Sequence, residues 1–161
     1  MQRVLAACGG FLLAVLWFDL MFDVQVLRHG SAAVLPEPVL ASIAGYYRRV
    51  TTEAFPMDRL VATIMLVTVG GSVYVLARGR GRRWRDRVAL LSCAVPVTLA
   101  ALRVFPNAMR LGTRADSVEI QSRLARAICY DHLVSLAAIG VFLALQLAQE
   151  DRANRFPSSR T

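Results

Sequence analysis

With 161 residues the chain is long enough for one compact domain and too short for two. An apolar fraction of 56% and a positive mean hydropathy exclude an ordinary soluble domain of this size, which would leave much of that surface facing water. A net charge of +8 would suit nucleic acid, but the arginines gather at the ends of apolar stretches, not on one accessible face, so no nucleic-acid partner is expected.

The first apolar stretch, Val4–Val26, follows Met1-Gln2-Arg3. It is longer than the core of a secretory signal and has no small-x-small cleavage site before the next polar stretch, so a retained helix is expected. Three further stretches follow at Leu60–Ala77, Val88–Val104 and Ala127–Ala148. Each approaches the ~20 residues that cross a ~30 Å hydrocarbon core. A backbone in lipid must satisfy its own hydrogen bonds, so all four are expected to be helices. The fold class is therefore an all-α, four-transmembrane-helix bundle. Residues 1–150 form the membrane domain and 151–161 a loose tail.

The connection from Leu27 to Asp58 is too long for a turn. Within it Val39, Leu40, Ile43, Tyr46, Tyr47 and Val50 recur at helical spacing after Pro38, predicting an amphipathic helix on the outer interface that ends at Pro56. Tyr46 and Tyr47 are expected at headgroup level. The segment 78–87 carries six arginines in ten residues and marks a short cytoplasmic loop, with Trp84 as an anchor. Total arginine does not set the orientation, with nine on the outer segments and ten on the inner. Density in the shortest loop does, and it places both termini in the cytoplasm of a multi-pass cell-membrane protein. After Pro106, Asp116-Ser117-Val118-Glu119 resembles a capping box with Asp116 as N-cap, starting the fourth helix outside the bilayer.

Ionisable side chains interrupt three of the four stretches, at a cost that lipid makes high. Asp19 and Asp23 stand one turn apart on the first. Arg103 ends the third, with Asn107 one turn beyond, and Asp131-His132 interrupt the fourth. Asp19 is 15 residues from Val4, Arg103 is 15 from Val88 and His132 is 16 from Ala148. A rise of ~1.5 Å per residue puts all three roughly 22 to 24 Å from the cytoplasmic end, in one polar layer. Asp58 and Arg59 would cap it from the second helix.

One reading of the layer is an interhelical ion pair, Asp19 or Asp131 with Arg103, that fixes helix register. Another is a site for a ligand or a proton. His132 would accept the proton, Asp131 or Asp19 would orient it, and Arg103 would stabilise developing charge. A metal would draw on Asp19, Asp23, Asp131 and His132, a hard or borderline set without motif spacing. Arg48-Arg49 would hold an anionic headgroup or substrate, or simply anchor the interface. Cys8, Cys93 and Cys129 lack any C-x-x-C spacing and are expected as small buried hydrophobes. Gly9-Gly10 and Gly70-Gly71 are expected to permit close helix packing, and Pro96 to kink the third helix.

The long segment before the second helix, Phe105-Pro106-Asn107 with Arg110-Leu111-Gly112, and the histidine of the fourth helix give the chain a layout that resembles the anthrone-oxygenase-like four-helix membrane proteins. In place of the His-x-x-Arg associated with that group's last helix, this chain reads Asp131-His132-Leu133-Val134. The resemblance implies an oxygenase that is cofactor-free or has a poorly defined cofactor, acting on a lipophilic substrate, with His132 and Asn107 in its site. The residues by themselves name no cofactor and leave three functions open: a binding protein or enzyme for a lipophilic small molecule, a non-catalytic membrane subunit in a homo- or hetero-oligomer, and an oligomeric ion-coupled carrier. Beyond the lipid bilayer and a lipophilic small molecule, no partner is specified.

Overall fold

The computed structural model describes residues 1–30, 32–79 and 83–155. Helix α1 (Gln2–Asp23) runs on into a 3-10 segment, Val24–His29. Then come α2 (Glu37–Thr52), α3 (Met57–Arg78) and α4 (Arg83–Leu99). A π-helical turn, Ala100–Val104, leads into α5 (Phe105–Thr113), and α6 (Val118–Arg155) completes the chain. No strand occurs among the described residues. Four segments, Gln2–His29, Met57–Arg78, Trp84–Thr113 and Val118–Gln149, are long and apolar enough to cross a membrane, which fits a multi-pass membrane protein. Residues 80–82 of the arginine-rich segment and 156–161 of the expected tail lie outside the described residues.

The four long helices close a ring: α1 packs on α6, α6 on α4, α4 on α3 and α3 back on α1. Helix α6 is the most enclosed, with 39% of its most apolar window buried against 11% for α3. Small residues set the closest approaches. A Cβ on Gly9 would come within 3.1 Å of the Phe142 ring, and one on Gly71 within 2.8 Å of Leu5. Gly10 and Gly70 meet nothing within 4 Å, so one glycine of each expected pair does the packing. All three cysteines are free and buried, as expected.

Two apolar cores result. Leu5, Leu12, Ala89, Cys93, Ile139 and Phe142 fill the arginine-rich end. At the other end α2 lies on α5 and on the tops of α1 and α6, burying Leu40, Ile43, Ala44 and Tyr47 against Ala108, Leu111 and Ile128. Gly112 lets the α2 backbone come close, since a Cβ there would meet the Arg48 backbone at 3.1 Å.

The third crossing is longer than the apolar run suggests, because helix continues through Pro106 to Thr113. A proline cannot donate to the carbonyl four residues back, and its ring crowds that carbonyl. The π turn absorbs both defects: the Phe105 amide donates to Ala100 O, five residues back, and Pro106 then sits in the first turn of α5. Helix α6 starts one residue later than the capping box implies. The Ser117 hydroxyl faces the Ile120 amide, while Asp116 accepts two 2.7 Å bonds from Arg110 that hold its carboxyl below the usual range.

Candidate functional site

Between the two cores lies a seam of polar side chains. On α6 the apolar positions Ile128 and Cys129 give way to Asp131, His132 and Ser135 before Ile139 resumes the other core. On α1 the matching change is Asp19 and Asp23 between Leu12 and Val26. A rise of ~1.5 Å per residue brings both stretches to one level, as expected from the sequence.

His132 is the hub. Its Nδ1 lies 2.6 Å from Asp23 Oδ2, and its Nε2 faces Asp19 Oδ2 at 3.9 Å, beyond hydrogen-bond reach. The imidazole thus stands between two carboxylates one turn apart on α1. They differ in access: the Asp19 side chain is 14% exposed and that of Asp23 0%.

Helix α2 completes the seam. Tyr47 donates to Asp23, its hydroxyl 2.7 and 2.8 Å from the two oxygens, and it lies 3.5 Å from His132 Nδ1. Tyr46 donates to Asp19 Oδ1 at 2.6 Å, its ring stacked on Phe22 at 4.1 Å. Both tyrosines thus turn their hydroxyls toward α1. Each phenol turns into the bundle because a buried hydroxyl needs a partner and the two aspartates need donors. Both phenols are held above their ordinary range, first by burial and then by the adjacent carboxylates.

Asp131 belongs to a different face. Its side chain leaves α6 about 100° away from that of its neighbour His132, and its Oδ2 lies 3.2 Å from Arg103 Nε. Arg103 sits in the π turn with its side chain 57% exposed, paired with Asp131 and not with Asp19. Among the described residues no three His, Cys, Asp or Glu side chains converge as metal ligands, so Asp19, Asp23, Asp131 and His132 do not form the expected metal set.

The remaining candidates lie outside the hub. Asn107 is half-buried, one turn beyond Arg103. Arg48 and Arg49 are exposed on α2, with Arg49 Nε directed at Gly45 O. Asp58 and Arg59 are exposed at the start of α3, with Arg59 over the Phe55 ring, and do not cap the layer. An open groove of about 690 Å³ at this end is lined by Gly30, Arg123, Arg126 and Tyr130, not by the seam.

No protein-family model, curated protein or solved structure matches this chain. The site's chemistry must therefore be argued from its own atoms. Two carboxylates flank one imidazole, so even a fully protonated His132 leaves the trio one negative charge in excess. Charges buried away from water are costly unless compensated, and a shared proton is the least demanding compensation. The arrangement can hold a proton on either side of the ring, with Asp23 fixing the ring's orientation.

Proposed function

We propose that the seam is an acid–base site for a lipophilic small molecule in a multi-pass membrane protein, with His132 as the proton-transferring group. One observation carries this reading: Asp23 holds Nδ1 at 2.6 Å while Nε2 faces the less buried Asp19 across 3.9 Å. A carboxylate on one nitrogen fixes the tautomer and raises the basicity of the other, the logic of an imidazole general base. Trp17, Phe18 and Met21 are exposed on the other faces of α1, as side chains turned to lipid would be. Asp23 and Tyr47 position the ring, and Asp19 with Tyr46 forms the accessible edge. In the sharper form of this proposal, the protein is an oxygenase of the anthrone-oxygenase-like kind with Asn107 near the substrate. The arginine-rich end would then face the cytoplasm.

The test is retention of lipophilic molecules by protein purified in nanodiscs, comparing the natural chain with His132→Gln and Asp19→Asn by solvent extraction and mass spectrometry. The expected result is a small molecule near stoichiometric amount that falls at least tenfold in His132→Gln at unchanged helix content. Equal retention by a folded His132→Gln would overturn the proposal.

A second reading has its own support. Asp23 is fully buried and satisfied by Tyr47 and His132 with no ligand, as a purely structural clasp would be. In that case the same variants lose stability in detergent and no bound molecule distinguishes them.

A further inference from the structure

At the arginine-rich end a second polar group is enclosed, far from the seam. Asp86, in the first turn of α4, is 4% exposed, and its Oδ2 is buried without a hydrogen-bond partner. It lines a cavity of about 10 Å³ with Leu5, Ser72, Val75, Ala89, Gln146 and Gln149. That volume holds about one water-sized body.

The hydroxyl beside it is already committed. The Ser72 hydroxyl donates to Thr68 O at 2.7 Å and accepts from Cys93 Sγ at 3.6 Å. Gln149 presents its carbonyl oxygen, which accepts from Gln2 Nε2 at 2.7 Å. No ion pair to Asp86 forms among the described residues, and the adjacent Arg85 guanidinium lies over Trp84 at 5.5 Å. The lining therefore offers the Asp86 carboxylate, the Ser72 hydroxyl and the side-chain amides of Gln146 and Gln149, and includes no arginine or histidine.

We propose that this cavity binds a single small monovalent cation of the size of Na⁺, held by Asp86 Oδ2, Ser72 Oγ and the side-chain oxygens of Gln146 and Gln149. An enclosed carboxylate oxygen without a donor is costly, and a hard cation satisfies it along with the neutral oxygens. One carboxylate matches one positive charge; hard divalent ions take six or more oxygens or keep several waters, which this space does not admit. The cavity joins α1, α3, α4 and α6, so an ion there would tie together all four helices of the ring. The site is independent of His132 and stands or falls separately.

The experiment is thermal unfolding of the full chain in detergent at constant ionic strength and at each of two pH values, exchanging choline for Na⁺ or K⁺, together with ²²Na⁺ binding. In the natural chain Na⁺ at ten times its Kd raises the folded-to-unfolded ratio roughly tenfold, choline does nothing, and about one ²²Na⁺ binds per chain. Asp86→Asn abolishes both effects. Gln146→Leu, which keeps the carboxylate, weakens Na⁺ binding several-fold and serves if Asp86→Asn does not fold. Equal stabilisation by all three cations, or Na⁺ responses in Asp86→Asn that match the natural chain, would overturn the site in favour of a buried water. Stabilisation that follows pH and ignores Na⁺ would overturn it in favour of a protonated Asp86.

Discussion

Replacing Tyr47 by Phe removes one oxygen from the centre of the seam and leaves the rest of the α2 packing in place. That oxygen lies 2.7 and 2.8 Å from the two oxygens of Asp23, a fully buried carboxylate whose other partner is His132. Hydrogen bonds to charged groups contribute about 1.5–3 kcal/mol, and the loss is greatest where water cannot replace the donor. The folded-to-unfolded ratio should therefore drop between about tenfold and a hundredfold. For a chain of this size that corresponds to a melting temperature lower by about 3–12 °C. Tyr46→Phe is the internal control: Asp19 is less enclosed than Asp23, so water at its edge makes the cost smaller. Thermal unfolding in one detergent, with Tyr47→Phe, Asp23→Asn and the double variant as a cycle, isolates the pair. A Tyr47→Phe protein within about 0.5 kcal/mol of the natural chain, or one that tolerates Tyr47→Phe better than Tyr46→Phe, would refute the account of α2 as held by this bond.

The same phenols set an alkaline limit: their raised pKa values mean the fold keeps protons that the unfolded chain releases above about pH 10, so this stability is full below that pH and declines above it. The melting temperature measured from pH 8 to 11 should fall less steeply in Tyr47→Phe than in the natural chain. Between the adjacent glycines of α1, Gly9→Ala should cost about 1–3 kcal/mol, because its Cβ would press on Phe142. Gly10→Ala, with nothing within 4 Å, should add about 0.5–1 kcal/mol, and opposite signs in paired unfolding curves are the check.

Level along the helices was legible in the sequence, and azimuth was not. Counting residues at a fixed rise puts Asp19, Arg103 and His132 at one level, because rise depends only on the helix being regular. Which carboxylate meets which cation depends on how far each helix is turned about its axis, and no residue count supplies that. Thus the pairing of His132 with Asp23, and of Arg103 with Asp131, emerges only from the packed ring. The two tyrosines carried a usable signal, since adjacent phenols on an otherwise apolar helix face match two acids one turn apart. That signal was masked by the equally sound habit of tyrosine to sit at a membrane surface. The continuation of helix through Pro106 was hidden for another reason. Proline near an apolar end reads as a stop, and only a π turn converts it into a first-turn residue.

That π turn works as a counting device. It inserts one residue more than an α-helix would need between Pro96 and Pro106, and each residue in a helix turns the chain by about 100°. Every side chain beyond it is phased by that surplus. With the extra residue, Ala108, Leu111 and Gly112 face α2 and Arg110 faces Asp116. Without it the same nine-residue helix would present a face rotated by more than a quarter turn, and α2 would meet the bulkier Thr113 where it now meets Gly112. The seating of α2 over the polar seam is thus set in part by the length of a five-residue segment, the same one whose Arg103 pairs with Asp131.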